Sequence, residues 1–297
     1  MKILITGANG LLGQKLVALV QKDQSIHLIA TARNKLIPSL TRGEFCPLDI
    51  SNRDEMNKII TTTRPDVIIN TAAMTHVDEC ELNHDVCWKA NVLSVKYLID
   101  ACSEINARLI HLSTDFIFDG SHGPLEENEK PNPISYYGSS KLAAEKLIME
   151  SSISWCIIRT VLVYGITEDM SRSNIVLWVK KNLEEGKKIR VVNDQWRTPT
   201  LAEDLAMGCY LAAIKNATGV FHISGKDFLS PYQMAIKTAE FFSLDKSLIE
   251  EVDSDTFKQP ARRPLTTGFI IDKAVHQLGY EPHSFEEGLA IVAAQLA

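Results

Sequence analysis

The sequence has little that would suit binding to nucleic acid or crossing a membrane. Its 31 basic residues are outnumbered by 37 acidic ones, and the formal charge of -6 offers no attraction to a phosphate backbone. No apolar stretch is long enough to span a bilayer, because glycine and asparagine interrupt the apolar run of the N-terminal segment, MKILITGANG. We therefore expect no nucleic-acid partner, no signal peptide and no membrane span.

The six cysteines form no Cys-x-x-Cys motif, and most of them fall in apolar segments. Such positions are typical of reduced thiols in the core of a cytoplasmic protein. Histidine, cysteine and acidic residues crowd the segment 76–87, but they lack the spacing of a zinc site. We interpret this segment as a loop that enters a helix N-terminus, and we predict a cytoplasmic protein without disulfides or a metal site.

Short apolar runs alternate with longer helical patterns over the first half of the chain. Strands are predicted at KILITG, HLIATA, EFCPLD, DVIINTA, RLIHLST and SWCIIRT, and most are near-continuously apolar, as in strands buried on both faces. Helical spacing lies between them, notably over 85–104 and 139–151. The alternation predicts an α/β fold with a Rossmann-type doubly wound parallel sheet, whose ligand site lies at the carboxyl ends of the strands.

The second half of the chain has a different character. It contains longer loops, further helical segments and two more strand-like runs, IRVV and GVFHIS. We predict a dinucleotide-binding domain over residues 1–165 and a smaller α/β substrate-binding lobe over residues 166–297. Some elements of the later half could return to pack on the first domain.

A glycine-rich turn, GANGLLG, joins the first predicted strand to the first predicted helix. Its G-x-x-G-x-x-G spacing lets backbone N–H groups and the helix N-terminus approach a pyrophosphate without interference from Cβ atoms. A glycine-rich turn without any ligand is the alternative interpretation. The residues predicted to bind a dinucleotide here are Gly7, Asn9, Gly10, Leu11, Leu12 and Gly13.

The ends of the second and third predicted strands bear on the choice of cofactor. An acidic residue after the second strand would bind the ribose hydroxyls of NAD, but this chain has Arg33 there, with Lys35 close by. Solvated surface cations are the alternative. Asp49 and Ile50 are predicted to hold the adenine, although Asp49 could instead cap the next helix. We predict NADP(H) as the preferred cofactor, with NAD(H) as the alternative.

Tyr137 and Lys141 form a Tyr-x-x-x-Lys pair at the start of a helical stretch, YYGSSKLAAEKLIMES. A phenol titrates at about 10, but a lysine one helical turn away would face it and favour the phenolate. The pair alone is weak evidence, because this spacing occurs by chance in many helices. Together with the glycine-rich turn, it indicates an oxidoreductase with a tuned proton donor.

Seven motifs occur in an order that resembles the extended short-chain dehydrogenase/reductases, closest to the dTDP-4-dehydrorhamnose reductases. They are TGANGLLGQ, NTAAMTHVDECE, HLSTDFIFDG, YYGSSK, RTVLVYG, DQWRTPT and ARRP, and they cover nearly the whole chain. The resemblance implies an NAD(P)H-dependent reductase of a nucleotide-linked 4-keto-6-deoxy sugar, acting in dTDP-L-rhamnose biosynthesis. It also implies that Thr114 hydrogen-bonds the substrate carbonyl, that Tyr137 supplies the proton, and that Lys141 also holds the nicotinamide ribose.

The resemblance implies further contacts at the strand ends and in the second lobe. Cofactor contacts would come from Asn70, Ala72, Ala73, Asn91 and Ser113. Substrate contacts would come from Thr75, Val77, Asp115, Phe116, Gln195, Arg197 and Arg263, with the arginines clamping a diphosphate. Solvated surface cations are the alternative for each arginine.

Two positions distinguish this chain from similar families. Nucleotide-sugar 4,6-dehydratases have Asp-Glu after the threonine, whereas Asp115 is followed here by Phe116, which favours simple reduction over elimination of water. The rhamnose reductases usually have tryptophan where this chain has Leu162, and glycine before Pro-Thr where it has Arg197 and Thr198. The substrate pocket is therefore expected to differ.

Two other functions stay open on the sequence alone. A regulatory subunit of methionine adenosyltransferase resembles these reductases in its motifs and acts as a binding partner. A sugar-nucleotide epimerase would retain its cofactor and release no oxidised nicotinamide. A monomer and a homodimer are equally compatible with the sequence.

Overall fold

The computed structural model describes residues 1–33, 40–168 and 174–297. The strands in these ranges are β1 (Lys2–Thr6), β2 (His27–Ala32), β3 (Glu44–Pro47), β4 (Val67–Asn70), β5 (Arg108–Thr114), β6 (Trp155–Thr160), β7 (Val163–Tyr164), β8 (Ile189–Val192), β9 (Thr200–Leu201), β10 (Gly219–His222) and β11 (Ile249–Val252). The α-helices are α1 (Leu11–Val20), α2 (Arg53–Thr63), α3 (Val77–Leu82), α4 (His84–Trp88), α5 (Ser94–Ile105), α6 (Tyr136–Met149), α7 (Ile175–Glu184), α8 (Ala202–Ile214), α9 (Pro231–Phe241), α10 (Asp272–Leu278) and α11 (Phe285–Leu296).

Seven strands form a parallel sheet in the order β10-β6-β5-β4-β1-β2-β3. The strand order reverses between β1 and β4, as it does in doubly wound folds, and ligands bind at the carboxyl ends of the strands beside such a reversal. Across this reversal Thr6, Asn70 and His111 lie side by side in the register. The predicted fold class is confirmed.

Helices cover both faces of the sheet. Ile3 and Leu16 belong to the apolar cluster between one face and the helices α1 and α8, whereas Leu4 and Leu98 belong to the cluster beneath α2, α5 and α6. Neighbouring strand residues point to opposite faces, so each strand must be apolar on both sides. This is the physical reason why the strands of the first half read as near-continuous apolar runs.

Residues beyond β6 contribute to three sheets, one of which is formed by the short strands β7 and β9. Strand β10 pairs with β6 and completes the central sheet, and α8 packs against α1. Strands β8 and β11 form a separate two-stranded parallel sheet, which shares an apolar cluster with α7 and α9. Strand β10 and helix α8 thus pack on elements of the first half of the chain, and the division into two domains near residue 165 stays a prediction. Within the described ranges, no helix is both long and apolar enough to cross a membrane.

The structure divides the helix predicted over 85–104. A π-helical turn, Lys89–Leu93, separates α4 from α5, and Asn91 lies within it. The Asn91 side chain accepts a hydrogen bond from the backbone N–H of Met74 and donates to the Met74 carbonyl. Such turns often occur at functional sites, and this one holds the loop after β4 against the helix.

Candidate active site

The glycine-rich turn has no room for a side chain at Gly7 or Gly13. The Gly10 N–H donates to the Gly7 carbonyl at 2.9 Å, and a Cβ at Gly13 would lie only 2.2 Å from the same oxygen. Gly10 precedes α1 and supplies no side-chain cap, so the first N–H groups of this helix point outward from an uncapped end. An uncapped helix N-terminus with backbone N–H groups fits the pyrophosphate of a dinucleotide.

The loop after β4 packs directly on this turn. Gly7 has a positive φ of 66°, and a Cβ there would lie 2.9 Å from the Ala72 Cα. Thr71 donates from its hydroxyl to the Thr6 carbonyl at 2.7 Å, which fixes the loop against β1. Ala72 and the adjoining Ala73 are therefore brought to the same edge as the glycine-rich turn.

Arg33 and Asp49 lie near each other where β2 and β3 end. Arg33 is exposed, and Asp49 accepts hydrogen bonds from the N–H and the hydroxyl of Ser51 at 2.9 and 2.8 Å. Burial acts to raise the pKa of Asp49, but the hydrogen bonds from Ser51 and the charge of Arg33 outweigh it, so the pKa is lowered. The alternative that Asp49 caps α2 is wrong, because Asn52 accepts from the first N–H groups of that helix. Ile50 lies beside Asp49 and is half-buried, whereas Lys35 falls outside the described residues.

Thr114 and Tyr137 come together at the carboxyl end of β5. The Thr114 hydroxyl accepts from the N–H of Phe116 at 3.2 Å and donates to Asp115 at 3.1 Å. Burial raises the pKa of Tyr137 above its ordinary value, and a hydrogen bond with Thr114 acts in the opposite direction. The Phe116 ring packs edge-on against the Tyr137 ring, with 5.7 Å between centroids.

The position of Tyr137 depends on the first turn of α6. Ser135 caps this helix by accepting from the Gly138 N–H, so the helix begins three residues before the predicted 139. A Cβ at Gly138 would lie 2.1 Å from the Phe116 carbonyl oxygen. Only glycine at this position lets α6 approach the end of β5 closely enough to place Tyr137 against Thr114.

Lys141 makes different contacts from those predicted. Its ammonium nitrogen donates to the Leu112 carbonyl at 2.6 Å and lies 3.3 Å from Nε2 of His111. Burial lowers the pKa of Lys141 to about 8. The lysine nitrogen is held on β5 and burial dominates the pKa of the phenol, so the expectation that Lys141 favours the Tyr137 phenolate stays a prediction.

Both predicted asparagines are engaged inside the protein. Asn70 is buried, and its amide accepts from the Thr6 hydroxyl at 2.6 Å and contacts Nδ1 of His111 at 3.0 Å. Asn91 is also buried and donates to the Ser140 hydroxyl at 3.1 Å in addition to its contacts with Met74. These two amides therefore brace the site, and their predicted contacts with the cofactor stay predictions. Ser113 differs from them, because its buried hydroxyl has no hydrogen-bond partner among the described residues.

The predicted diphosphate clamp at Arg197 is contradicted by its contacts. Arg197 is buried, lies 3.5 Å from the Asp115 carboxylate, and donates to three backbone carbonyls, those of Trp196, Pro264 and Leu265. Asp115 is buried as well and accepts from the Thr267 hydroxyl at 2.5 Å. Asp115 is therefore an internal residue rather than the predicted ligand of sugar hydroxyls.

Arg263 is engaged by an acidic residue of the predicted substrate loop. Its guanidinium donates to both carboxylate oxygens of Asp78, at 3.1 and 2.7 Å. The hydrogen bond from Arg263 lowers the pKa of Asp78. The pair ties the loop around residue 263 to α3. The other predicted substrate residues of this region are at least partly exposed: Thr75, Val77 and Gln195.

The crowded segment 76–87 lies beside the tyrosine. Cys80 and Cys87 are buried and share an apolar cluster with Tyr137. The Cys80 thiol donates to the Met74 carbonyl at 3.6 Å, and the Cys87 thiol donates to the Ser140 hydroxyl at 3.4 Å. In the part of the chain that the structure describes, no three histidine, cysteine or acidic side chains are arranged to hold a metal. All six cysteines are free thiols.

His111, which contacts both Asn70 and Lys141, was not among the predicted site residues. A signal was present, since Thr6 and Asn70 end two largely apolar strands and His111 interrupts the apolar run of a third, RLIHLST. A buried polar side chain requires a hydrogen-bond partner, and polar residues of neighbouring strands can supply it. The fixed register that makes the three residues neighbours could be read only from the structure.

A doubly wound sheet, a glycine-rich turn that fits a pyrophosphate, and a threonine and tyrosine in contact at the same edge define a nucleotide-dependent oxidoreductase of the short-chain dehydrogenase/reductase class. Within that class the chain belongs to the RmlD substrate binding domain family, whose model matches residues 1–297. The predicted family resemblance is confirmed.

Curated relatives include both a reductase and a regulatory subunit. The chain is 30% identical to a probable low-salt glycan biosynthesis reductase of Haloferax volcanii, over 98% of this chain and 96% of that protein. It is also 30% identical to the methionine adenosyltransferase 2 subunit beta of Bos taurus, over 89% of this chain and 78% of that protein. The second relative carries the name of one alternative that the sequence left open.

Solved structures with the same fold include dTDP-4-dehydrorhamnose reductases. One from Clostridium acetobutylicum has a TM-score of 0.89 and 30% identity, covering 100% of this chain and 99% of that chain. Another, from Bacillus anthracis in complex with NADP, has a TM-score of 0.84 and 28% identity, covering 99% of each chain. These names agree with the predicted reductase function.

Proposed function

We propose that this chain is an NAD(P)H-dependent reductase of a nucleotide-linked 4-keto-6-deoxy sugar, of the dTDP-4-dehydrorhamnose reductase type. The observation that carries the proposal is the placement of Thr114 at the end of β5 and of Tyr137 in the first turn of α6, at the sheet edge that also holds the glycine-rich turn. Names of relatives in the same family support it. The unpartnered hydroxyl of Ser113 supports a ligand beside Thr114, as predicted for the cofactor.

The residues at this edge suit the reduction of a ketone. A nicotinamide cofactor, held by the glycine-rich turn, would supply the hydride. Tyr137 would donate its phenolic proton to the carbonyl oxygen as negative charge develops there, and Thr114 would hydrogen-bond the same oxygen. The Thr114 hydroxyl donates to Asp115, whose position is fixed by Arg197 and Thr267, and it would turn this proton to the carbonyl oxygen in the complex. Phe116 supplies no second acid, so the site lacks the group that an elimination would need at this position.

The rate of reduction is expected to fall as the pH rises through about 8. Burial lowers the pKa of Lys141 to about 8, so its positive charge is present below that pH and lost above it. The charge favours proton loss from the nearby phenol, and kcat should therefore be highest on the acidic side and decline on the alkaline side. The check is a kcat profile between about pH 6 and 10. In Lys141→Arg the charge persists throughout this range, so the alkaline decline should disappear; a decline shared by both proteins would contradict the assignment.

We further propose that NADP(H) is preferred to NAD(H), on the strength of Arg33 at the end of β2. Replacing Arg33 by alanine should weaken NADPH binding by about 10- to 100-fold, because a charge-assisted hydrogen bond to the 2'-phosphate is lost, and should leave NADH binding unchanged. Calorimetric titration with both cofactors would measure this. Arg190→Ala, which removes an exposed arginine that packs on Phe257 in the second lobe, is the matched control. Equal losses for NADPH and NADH would contradict the preference.

The proposal is tested by NADPH oxidation with dTDP-4-dehydrorhamnose and related 4-keto sugar nucleotides. Absence of turnover with all of them would rule the reductase out. A sugar-nucleotide epimerase would instead retain its cofactor, which mass spectrometry of the purified protein would detect. The regulatory-subunit alternative, favoured by the similarity to a methionine adenosyltransferase subunit, predicts copurification with a synthetase and a role that Tyr137→Phe does not affect.

A cytoplasmic location belongs to the same proposal. It is supported by six free cysteines, which suit a reducing compartment. A homodimer stays a prediction alongside the monomer, and light scattering of the purified chain would distinguish them.

A further inference from the structure

A row of four buried polar side chains leads from the first strand to Lys141. The Thr6 hydroxyl donates to Oδ1 of Asn70 at 2.6 Å, Nδ2 of Asn70 contacts Nδ1 of His111 at 3.0 Å, and Nε2 of His111 lies 3.3 Å from Nζ of Lys141. All four residues are at most 3% exposed, and the first three are neighbours in the sheet register.

The row determines where the His111 proton lies. The Thr6 hydroxyl accepts from the Ala72 N–H at 3.4 Å and donates its own proton to Oδ1 of Asn70 at 2.6 Å. The NH₂ group of Asn70 then faces His111, whose Nδ1 must accept and therefore carries no proton. In a neutral imidazole the proton is then on Nε2, which points toward Lys141.

An N–H group and an ammonium cannot both donate to each other. The contact between Nε2 of His111 and Nζ of Lys141 becomes a hydrogen bond only when Lys141 is an uncharged amine that accepts from Nε2–H. The amine can still donate to the Leu112 carbonyl at 2.6 Å. Burial and the charge of Lys141 also lower the pKa of His111, which keeps the imidazole neutral.

We propose that His111 is a positioning residue that presents Nε2–H to Lys141 and thereby favours the uncharged amine, so that both forms of the lysine are populated near neutral pH. The catalytic consequence rests on the proposed function: a lysine that is populated in both forms can exchange the proton that Tyr137 gives up. The hydrogen-bond geometry itself does not depend on that function.

Other groups around Lys141 favour its charged form, whereas His111 favours the uncharged amine. Glu145 on the same helix raises the pKa of Lys141, as do Cys87 on α4 and Cys80 on α3. Glu145 is held by a buried ion pair with Arg159 at 2.8 Å, which reduces the share of its charge that reaches the lysine. His111 is the uncharged partner that faces Lys141 from β5.

The first test is the tautomer of His111 in the unaltered chain without cofactor. In a ¹⁵N-labelled sample, the chemical shifts of the two ring nitrogens distinguish the protonated atom from the unprotonated one, and the signal is assigned by its loss in His111→Gln. We expect the Nε2–H tautomer between about pH 6 and 9. The Nδ1–H tautomer, or a charged imidazole, would overturn the proposal.

The second test is the titration of Lys141, followed by the ¹³Cε shift in lysine-labelled protein and assigned with Lys141→Arg. Glutamine at position 111 offers a carbonyl oxygen to the ammonium, so the pKa of Lys141 should rise by about one unit in His111→Gln. His222→Gln is the matched control. His222 is equally buried, but it lies at the end of β10, and its Nδ1 faces the Leu125 carbonyl instead of Lys141. An unchanged pKa in His111→Gln, or an equal rise in His222→Gln, would contradict the role.

The two tests separate this inference from the reductase proposal. Both use the chain without substrate or cofactor, so they keep their meaning if no sugar is reduced. If His111→Gln fails to fold, the tautomer is assigned instead from the shift that Lys141→Arg causes at the contacting imidazole, and it still decides the outcome.

Discussion

Replacing Tyr137 by phenylalanine is expected to lower kcat by about 10²- to 10⁴-fold, which is the usual contribution of a positioned general acid. The substitution removes only the hydroxyl that hydrogen-bonds with Thr114, while the ring keeps its edge-on packing against Phe116. Cofactor affinity and the free energy of unfolding should therefore change little. Steady-state kinetics with a 4-keto sugar nucleotide and calorimetric titration with NADPH would measure the two effects separately.

Tyr136 provides the matched control for this prediction. It is the preceding residue of the same helix, but its ring stacks on His84 with 3.7 Å between centroids and does not contact Thr114 through any described hydrogen bond. Tyr136→Phe should keep a kcat within about threefold of the unaltered protein. If the two substitutions had similar effects, or if Tyr137→Phe kept full turnover, Tyr137 would not be the proton donor.

Replacing Gly13 by alanine is expected to abolish measurable nucleotide binding and to destabilise the fold by about 1–3 kcal/mol. The new Cβ would lie 2.2 Å from the Gly7 carbonyl oxygen and 2.7 Å from the Ala8 Cα, and both are backbone atoms that cannot rotate away. The turn would have to open, which would displace the uncapped N-terminus of α1 from any pyrophosphate. Denaturant unfolding and calorimetric titration with NADPH would measure the two losses.

Gly10→Ala serves as the control within the same turn. Its Cβ would lie 3.2 Å from the same Gly7 oxygen, so a shift of a few tenths of an ångström relieves the contact. The loss of stability should therefore be clearly smaller than in Gly13→Ala. Normal NADPH affinity in Gly13→Ala would show that the closed turn is not the cofactor site.

The fold could be predicted because its strands are buried on both faces. Ile3 and Leu4 are consecutive residues that pack into the two apolar clusters on opposite faces of the sheet. Such strands are apolar at nearly every position, whereas a half-exposed strand alternates apolar and polar residues. The glycine-rich turn and the Tyr-x-x-x-Lys pair could be predicted for a similar reason, because their geometry is local. Each depends on residues only a few positions apart.

The partners of the site residues could not be predicted, because they come from distant parts of the chain. The family resemblance implies that Arg197 and Arg263 bind a diphosphate, yet Arg197 pairs with Asp115 and Arg263 with Asp78. A guanidinium suits a buried carboxylate as well as a phosphate, and sequence does not say which of the two it meets. His111 was missed because only the register of three strands aligns it with Asn70 and Thr6.

The most direct test of the reductase proposal is the transfer of deuterium from the nicotinamide to the sugar. The chain would be incubated with dTDP-4-dehydrorhamnose and NADPH that carries deuterium at the transferable C4 position, and the products would be identified by mass spectrometry. We predict a reduced sugar nucleotide with one deuterium on its former carbonyl carbon, formed in equal amount with oxidised cofactor, and greatly slowed in Tyr137→Phe. An unlabelled epimer, or no sugar product although NADPH is bound, would contradict the account.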